Sequence, residues 1–292
     1  MHATGHSRTA EFMALFRALE SASDPRQRLF NDPWAIRFLR PRLRAIAALA
    51  HLPLARSLIC RFIDSRWPGA RTSGIARTRY IDETLCDALS SGITQVVLLG
   101  AGFDSRSCRL PQLAHARVFE VDHPNTSQVK QARIKQFATQ VRYVALDFNQ
   151  QTLDTALREA GFDPAEPALF LWEGVTQYLT ALAVDATFGF VARSAPGSKV
   201  LFTYVHADAI NGGHGGMTAL NRTLSKAGEP WTFGLDPREL PRYLAGRGLR
   251  LISDLNATTY RRLYASANAA AGNPGSNNTG YEFYRVALAA VV

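Results

Sequence analysis

The first 70 residues carry apolar side chains at helical spacing. Within Thr9–Leu19 the apolar positions recur at i, i+3, i+4 and i+7, which predicts an amphipathic helix. Asp32 and Pro33 form a cap followed by a proline at the first helical position, which predicts a second helix. We therefore expect residues 1–74 to be a helical region that ends in a loop at Arg71–Gly74.

Beyond residue 75, short apolar runs of strand length alternate with helical patterns, which is typical of an α/β fold. The predicted strands are 96–100, 117–121, 141–145, 168–172, 199–205, 249–255 and 282–289. The predicted helices are 125–137, 151–160, 181–193, 216–227 and 237–246. The fold class is thus α/β with a doubly wound, seven-stranded sheet, and its last two strands should be an antiparallel pair.

One stretch near the start of this alternation indicates a nucleotide cofactor. The apolar run Val96–Leu99 closes on Gly100 and Gly102, which predicts a buried strand that enters a tight turn close to a ligand. A second apolar strand ends in Asp122 about 20 residues later, where a carboxylate can accept both hydroxyls of a ribose. Glu120 lies two residues earlier on the same face, so the pattern alone does not separate the two acids.

The identity of the nucleotide follows from what the turn lacks. The dinucleotide fingerprint requires a third glycine for close packing of helix on strand, and Ser105 stands at that position. No phosphate-binding P-loop motif accompanies it. The pattern favours S-adenosylmethionine, which has no pyrophosphate, over NAD(P), although an NAD(P)-dependent oxidoreductase remains the alternative.

Three longer motifs carry a family resemblance. VVLLGAGFDSRSCRL, then VFEVDHP with Lys130 eight residues after Asp122, then LWEGVTQYLT resemble the leucine carboxyl methyltransferase family, which includes bacterial small-molecule O-methyltransferases. The resemblance runs from about Thr9 to the C-terminus. It implies a Rossmann-like class I methyltransferase core over 75–292, with residues 1–74 as a lid that lies over the cofactor and shapes the acceptor pocket.

The resemblance also assigns roles to residues at the carboxyl ends of the predicted strands. Gly100 and Gly102 would approach the methionine part of the cofactor, and Asp122 would bind the ribose. Asp147 would accept the adenine amino group while the backbone N–H of Phe148 donates to the ring. For Asp147 the residues alone leave a helix cap equally open.

The amino-acid end of the cofactor requires charged partners. Glu173 would face the cofactor's amino group, and a buried ion pair with an arginine is its alternative. Arg77 and Arg17 suit the cofactor's carboxylate, because a guanidinium binds carboxylates with two parallel hydrogen bonds. Asp104 and Arg106 are expected to form an ion pair that holds the glycine turn.

The acceptor side is less well specified by the sequence. Tyr178 and Tyr204 either face the acceptor or pack in the core. A carboxylate acceptor would need no base, whereas a hydroxyl acceptor would need one, and His206 is the candidate. We expect methylation of a small-molecule carboxylate, or otherwise a hydroxyl, in natural-product metabolism. A non-catalytic cofactor-binding protein is a further alternative.

The composition limits the classes of partner that we expect. The net charge is +9, but only four of 33 basic residues are lysines and the arginines are scattered, so no nucleic-acid partner is expected. A nucleic-acid methyltransferase would usually carry an Asn/Asp-Pro-Pro-aromatic motif where this chain has WEGVTQY. No apolar run reaches 18 residues, so no membrane partner is expected. Three unclustered cysteines indicate reduced thiols in a cytoplasmic protein without a metal site.

Overall fold

The computed structural model describes residues 8–134, 141–146, 152–210, 230–265 and 280–292. Within these residues seven strands form one sheet. They are β1 Gln95–Leu99, β2 Arg117–Asp122, β3 Val141–Ala145, β4 Ala168–Trp172, β5 Lys199–Val205, β6 Leu249–Asn256 and β7 Tyr284–Val291. All seven predicted strands are confirmed, with ends that differ by no more than two residues.

The strand order is β3-β2-β1-β4-β5-β7-β6. Strands β1 to β5 pair in parallel, whereas β7 lies antiparallel between β5 and β6. The chain order reverses between β1 and β4, so the carboxyl ends of these two strands border a crevice in which ligands of open α/β sheets bind. The predicted antiparallel pair at the end of the chain is confirmed.

Helices cover both faces of the sheet. Those described are α1 Arg8–Ser21, α2 Pro41–Leu49, α3 Pro53–Arg66, α4 Ala70–Ser90, α5 Arg106–Arg109, α6 Pro124–Ile134, α7 Leu153–Glu159, α8 Ala181–Ala192, α9 Ala207–Ile210, α10 Leu240–Ala245 and α11 Ala257–Leu263. Short 3₁₀ turns lie at Ala35–Phe38, Pro111–His115 and Thr176–Tyr178. The helix predicted at 216–227 and the end of the one predicted at 125–137 lie outside the described residues.

The pattern of the central strands explains the two-sided core. Every residue of β1 and β4 is buried, as expected for parallel strands covered on both faces. Val97 and Leu99 belong to one apolar cluster, and Val96 and Leu98 belong to another. Because neighbouring side chains of a strand point to opposite faces, these clusters are the two helix-covered sides of the sheet.

The N-terminal helices pack against the turn that follows β1. Their apolar cluster includes Phe103 and Ile134, and the ring of Phe38 stacks on that of Phe103 with centroids 5.0 Å apart. The loop predicted at Arg71–Gly74 is wrong, because α4 runs through it from Ala70. Gly74 lies inside this helix, and its lack of a side chain leaves room for Met13: a Cβ there would be 2.9 Å from the Met13 Cε. The predicted domain boundary after residue 74 therefore falls inside a continuous helix.

None of the described helices is both long enough and apolar enough to cross a membrane.

Two residues of α8 offer a matched test of how this helix packs on the sheet. Phe188 is fully buried between Trp172 and Phe202, whereas Leu182 is 80% exposed. Phe188→Ala should lower the free energy of unfolding by about 3–5 kcal/mol, because it removes a buried ring and leaves a cavity. Leu182→Ala should change it by less than about 0.5 kcal/mol. Chemical denaturation measures both, and equal losses would contradict the arrangement of α8.

Candidate functional site

The turn after β1 excludes any side chain at Gly100 and favours glycine at Gly102. Gly100 and Gly102 have φ of +67° and +44°, in the left-handed region that favours glycine. A Cβ on Gly100 would lie 2.4 Å from Cγ2 of Val175, which follows β4. The backbone N–H groups of Gly100 and Ala101 both donate to the carbonyl of Val121, at 2.9 and 3.0 Å. The turn is thereby fixed between the ends of β2 and β4.

Asp122 lies at the carboxyl end of β2 and faces this turn. Its Oδ2 accepts a short hydrogen bond from the Gly102 N–H, and its Oδ1 accepts one from the His123 N–H at 2.7 Å. Burial raises the pKa of Asp122, and the two N–H donors and Lys130 only partly oppose this effect. Asp122 is nevertheless half-buried rather than enclosed, so its carboxylate remains accessible at the edge of the sheet.

The surroundings of Glu120 distinguish it from Asp122. It is almost fully buried, its Oε2 lies 2.7 Å from the Lys130 Nζ, and its Oε1 accepts from the Ser107 hydroxyl at 2.7 Å. Lys130 is equally buried. Glu120 is therefore enclosed and neutralised by Lys130, and Asp122 is the more accessible acid of β2.

Beside the turn lies a cluster of buried charges that sequence reasoning found only in part. We call it the ionic cluster. It consists of four arginines and four acids: Arg17, Arg77, Arg106, Arg109, Asp32, Asp82, Asp104 and Glu173. No side chain in it is more than 16% exposed. Its charges balance, which is what permits so many of them to be buried together.

Arg106 is the centre of the ionic cluster. Its Nε donates to Asp82 at 2.7 Å, and its Nη1 donates to both Asp104 and Glu173, the latter at 2.8 Å. The predicted ion pair between Asp104 and Arg106 is thus confirmed. Burial opposes the charge on Asp104, but Arg106 prevails and holds the pKa of that carboxyl well below its usual range.

Glu173 lies at the carboxyl end of β4 between two arginines. Its Oε1 accepts from the Arg77 Nε at 2.9 Å, and its Oε2 accepts from Arg106. Although burial alone would raise it, the pKa of Glu173 is lowered, because Arg106 and Arg77 stabilise the carboxylate. The structure therefore shows the buried ion pair that sequence analysis left as an alternative for this residue.

Arg17 connects the first helix with the glycine turn. Its Nε donates to Asp32 at 2.8 Å and its Nη2 donates to the carbonyl of Phe103 at 2.6 Å. Asp32 also accepts a short bond from the Ser105 hydroxyl, in the same turn. These contacts link the N-terminal region to the residues that follow Gly102.

Aromatic side chains lie next to Arg77. Its guanidinium carbon is 4.5 Å from the centre of the Tyr284 ring. The Tyr178 hydroxyl lies 3.4 Å from that of Thr9. Tyr281 has φ of 63°, and no other non-glycine residue in the described ranges has positive φ. Strain of this kind concentrates at functional sites. The sequence gives no signal for this conformation, so Tyr281 was not among the predicted site residues.

The remaining predicted residues are placed as follows. Tyr204 is fully buried and its hydroxyl donates to Asp254 at 2.8 Å, so it takes the core position that was its alternative. His206 follows β5, and its Nδ1 accepts from the Asp208 N–H at 3.1 Å. Asp147 and Phe148 lie outside the described residues. The described residues contain no group of three or more side chains suited to hold a metal ion.

Comparisons with known proteins agree with this geometry. A family model described as "Leucine carboxyl methyltransferase" matches residues 10–192. The chain belongs to the leucine carboxyl methyltransferase family. Proteins of Mycobacterium bovis and Mycobacterium tuberculosis that carry the name "Putative S-adenosyl-L-methionine-dependent methyltransferase" are 39% identical to it over 215 residues, which is 71% of this chain and 69% of theirs.

The fold agrees as well. A crystal structure from Thermobifida fusca, titled as that of a "putative methyltransferase", superposes with a TM-score of 0.59 and 17% identity over 97% of both chains. The chain is thus a methyltransferase with a Rossmann-like α/β fold, and S-adenosylmethionine is its cofactor. The predicted family, fold class and cofactor are confirmed, and the oxidoreductase alternative is set aside.

The ionic cluster generates a stability prediction. Arg106→Met should lower the free energy of unfolding by about 3–5 kcal/mol, because it leaves three buried carboxylates without their shared partner. Arg158→Met is the matched control, since Arg158 forms an exposed ion pair with Asp154 and such pairs contribute little. Chemical denaturation near neutral pH compares the two. A loss for Arg106→Met no greater than that for Arg158→Met would contradict the account of the cluster.

Proposed function

We propose that this methyltransferase transfers the methyl group to an oxygen of a small-molecule acceptor in natural-product metabolism, with a carboxylate favoured over a hydroxyl. The observation that carries the placement of the cofactor in this proposal is the Arg77–Glu173 pair at the carboxyl end of β4, beside the glycine turn. One positive and one negative group lie there together, and the amino-acid end of S-adenosylmethionine carries a carboxylate and an ammonium group that complement them.

In this proposal each residue around the turn has one task. Arg77 binds the cofactor's carboxylate, and Glu173 binds its ammonium group through the lone pairs that its bonds to Arg77 and Arg106 leave free. Gly100 and Gly102 allow the backbone to approach the methionine part, and at Gly100 any larger residue would collide with Val175. Arg17 acts indirectly, because two of its donors are already bound to Asp32 and to the carbonyl of Phe103.

Asp122 binds the ribose hydroxyls at the opposite side of the turn. It is the accessible acid of β2, whereas Glu120 is committed to Lys130. The assignment of adenine to Asp147 and Phe148 remains a prediction. Its support is that β3 pairs with β2, and that the N–H of Leu146, next in the chain to Asp147, donates to the carbonyl of Asp122 at 3.0 Å.

The preference for a carboxylate acceptor rests on proton affinities near Arg77. The lowered pKa values of Glu173 and Asp104 make both carboxylates weak bases. Burial raises the pKa of Tyr281 to about 12, so its phenol stays protonated near neutral pH and can donate a hydrogen bond. A carboxylate acceptor is already an anion and requires no base. The family description, which names carboxyl methylation, gives independent support.

The bound cofactor supplies the sulfonium methyl group that the acceptor oxygen attacks in line. The protein then contributes chiefly by positioning, which can supply much of the rate enhancement. Tyr178 and the N-terminal helices are the proposed acceptor-binding elements, the helices as a lid, and Tyr178 already contacts α1 through Thr9. If the acceptor is a hydroxyl, His206 becomes the proposed base.

Asp122→Asn tests the cofactor site. The substitution keeps the shape of the side chain but removes its charge, and should weaken S-adenosylmethionine binding about 10- to 100-fold, because hydrogen bonds to charged groups are worth about 1.5–3 kcal/mol. Asp163→Asn is the control, since Asp163 also accepts a backbone N–H, at 2.9 Å from Ala165, on a distant turn. Isothermal titration calorimetry gives both affinities. Unchanged affinity in Asp122→Asn would remove Asp122 from the site.

Transfer of a labelled methyl group tests the acceptor chemistry. The protein is incubated with isotope-labelled S-adenosylmethionine and a pool of small organic acids and phenols, and the products are treated with mild alkali. We expect the label to be released as methanol, because methyl esters are hydrolysed under these conditions and ethers are not. Alkali-stable label would point to a hydroxyl or amine acceptor, and loss of that activity in His206→Gln would identify the base. Cofactor binding without transfer would support the non-catalytic alternative.

A further inference from the structure

The two helices α2 and α3 form a hairpin over Pro41–Arg66, which we call the basic hairpin. Eleven large hydrophobic side chains are exposed in the described residues, and six of them belong to this short segment. They are Ile46 (36% exposed), Leu49 (54%), Leu52 (61%), Leu54 (77%), Leu58 (60%) and Phe62 (67%). Exposed apolar patches on a folded chain mark surfaces that bind something.

These side chains follow one another along the hairpin, and three of them share a face of α3. Leu49, Leu52 and Leu54 lie at the tip, where α2 ends and α3 begins at Pro53. Leu58 and Phe62 follow Leu54 at i+4 and i+8, so the three share one face of α3. The other face of α3 is buried against the body of the protein through Cys60 and Ile63. The leucines of the outer face therefore take no part in the core.

The same segment carries a large share of the net charge of the protein. Residues 41–66 contain five arginines and a single acid, a net charge of +4 against +9 for the whole chain. The acid, Asp64, is paired with Arg71 of α4. Arg42 and Arg61 are exposed and form no ion pair within the described residues. Sequence analysis regarded the basic residues as scattered, but the net charge is concentrated here.

We propose that the basic hairpin binds the surface of an anionic lipid bilayer. Leucine and phenylalanine on the exposed face of a helix enter the boundary between headgroups and acyl chains, while arginines contact the anionic headgroups. A second copy of this chain fits the surface poorly, because association through it would bring two positive faces together. A nucleic acid would account for the arginines but not for the leucines.

This binding needs no membrane-spanning helix. The expectation of no membrane partner rested on the lack of a long apolar run, which bears on spanning and not on adsorption. Adsorption through one short hairpin should be reversible and should weaken with salt, because part of it is electrostatic. The proposal is independent of the cofactor site, since no residue assigned to the cofactor belongs to the basic hairpin.

Co-sedimentation of the full-length protein with vesicles tests the proposal. Vesicles of phosphatidylcholine alone are compared with vesicles that also contain phosphatidylglycerol. The variants are L54S/L58S and R42E/R61E in the hairpin, with L182S and R242E as exposed controls elsewhere. All replace exposed side chains, so thermal unfolding should be unchanged in each.

The wild-type protein and both controls should bind the anionic vesicles and not the neutral ones. L54S/L58S and R42E/R61E should each bind at least about tenfold more weakly, since each loses a substantial part of the interaction. Two outcomes overturn the proposal. One is failure of the wild-type protein to bind anionic vesicles. The other is a wild-type dimer that L54S/L58S converts to a monomer without any effect on vesicle binding, which would make the hairpin an interface between copies.

Discussion

The structure depends on the burial of balanced charges beside the glycine turn. Arg106 binds three carboxylates, and through Asp82, Asp104 and Glu173 it joins α4, the turn after β1 and the end of β4. Removing charges from water is unfavourable unless each gains close partners of opposite sign. The ionic cluster meets this requirement only when these segments are assembled in one arrangement. Its contribution is therefore specificity of geometry more than net stability.

That geometry has a direct chemical consequence. With the proposed carboxylate acceptor, methyl transfer demands little acid–base chemistry, so the protein would chiefly hold its cofactor and acceptor in position. A network in which Glu173 contacts both Arg77 and Arg106 gives the charged groups little freedom to move. In the proposed cofactor site those groups are oriented in advance for the amino-acid end of the cofactor, so fewer conformations would be lost when it binds.

Much of the fold follows from local sequence, and less of the site does. Apolar runs such as Val96–Leu99 predict strands, because a strand that is buried on both faces shows no alternation of apolar and polar residues. The acids at strand ends are predictable too, because each directly follows or ends such an apolar run. The partners of Arg106 are not, since Asp82 and Glu173 lie 24 and 67 residues away and meet it only through the topology. The helix across Arg71–Gly74 was missed because its glycine is explained by tertiary contact with Met13. Glu120 and Asp122 differ in burial, and the sequence pattern does not reveal this difference.

The most direct test of the account is ligand discrimination by Arg77. Calorimetry compares the affinity of the protein for S-adenosylmethionine with that for its decarboxylated analogue, in the wild type and in Arg77→Gln. The wild type should prefer the carboxylated cofactor at least about tenfold, as charged hydrogen bonds imply, and Arg77→Gln should abolish that preference. The experiment measures the ratio of the affinities for two ligands in the same variant. A general loss of stability would lower both affinities and would not produce this result. A preference that survives in Arg77→Gln would contradict the placement of the cofactor at the Arg77–Glu173 pair.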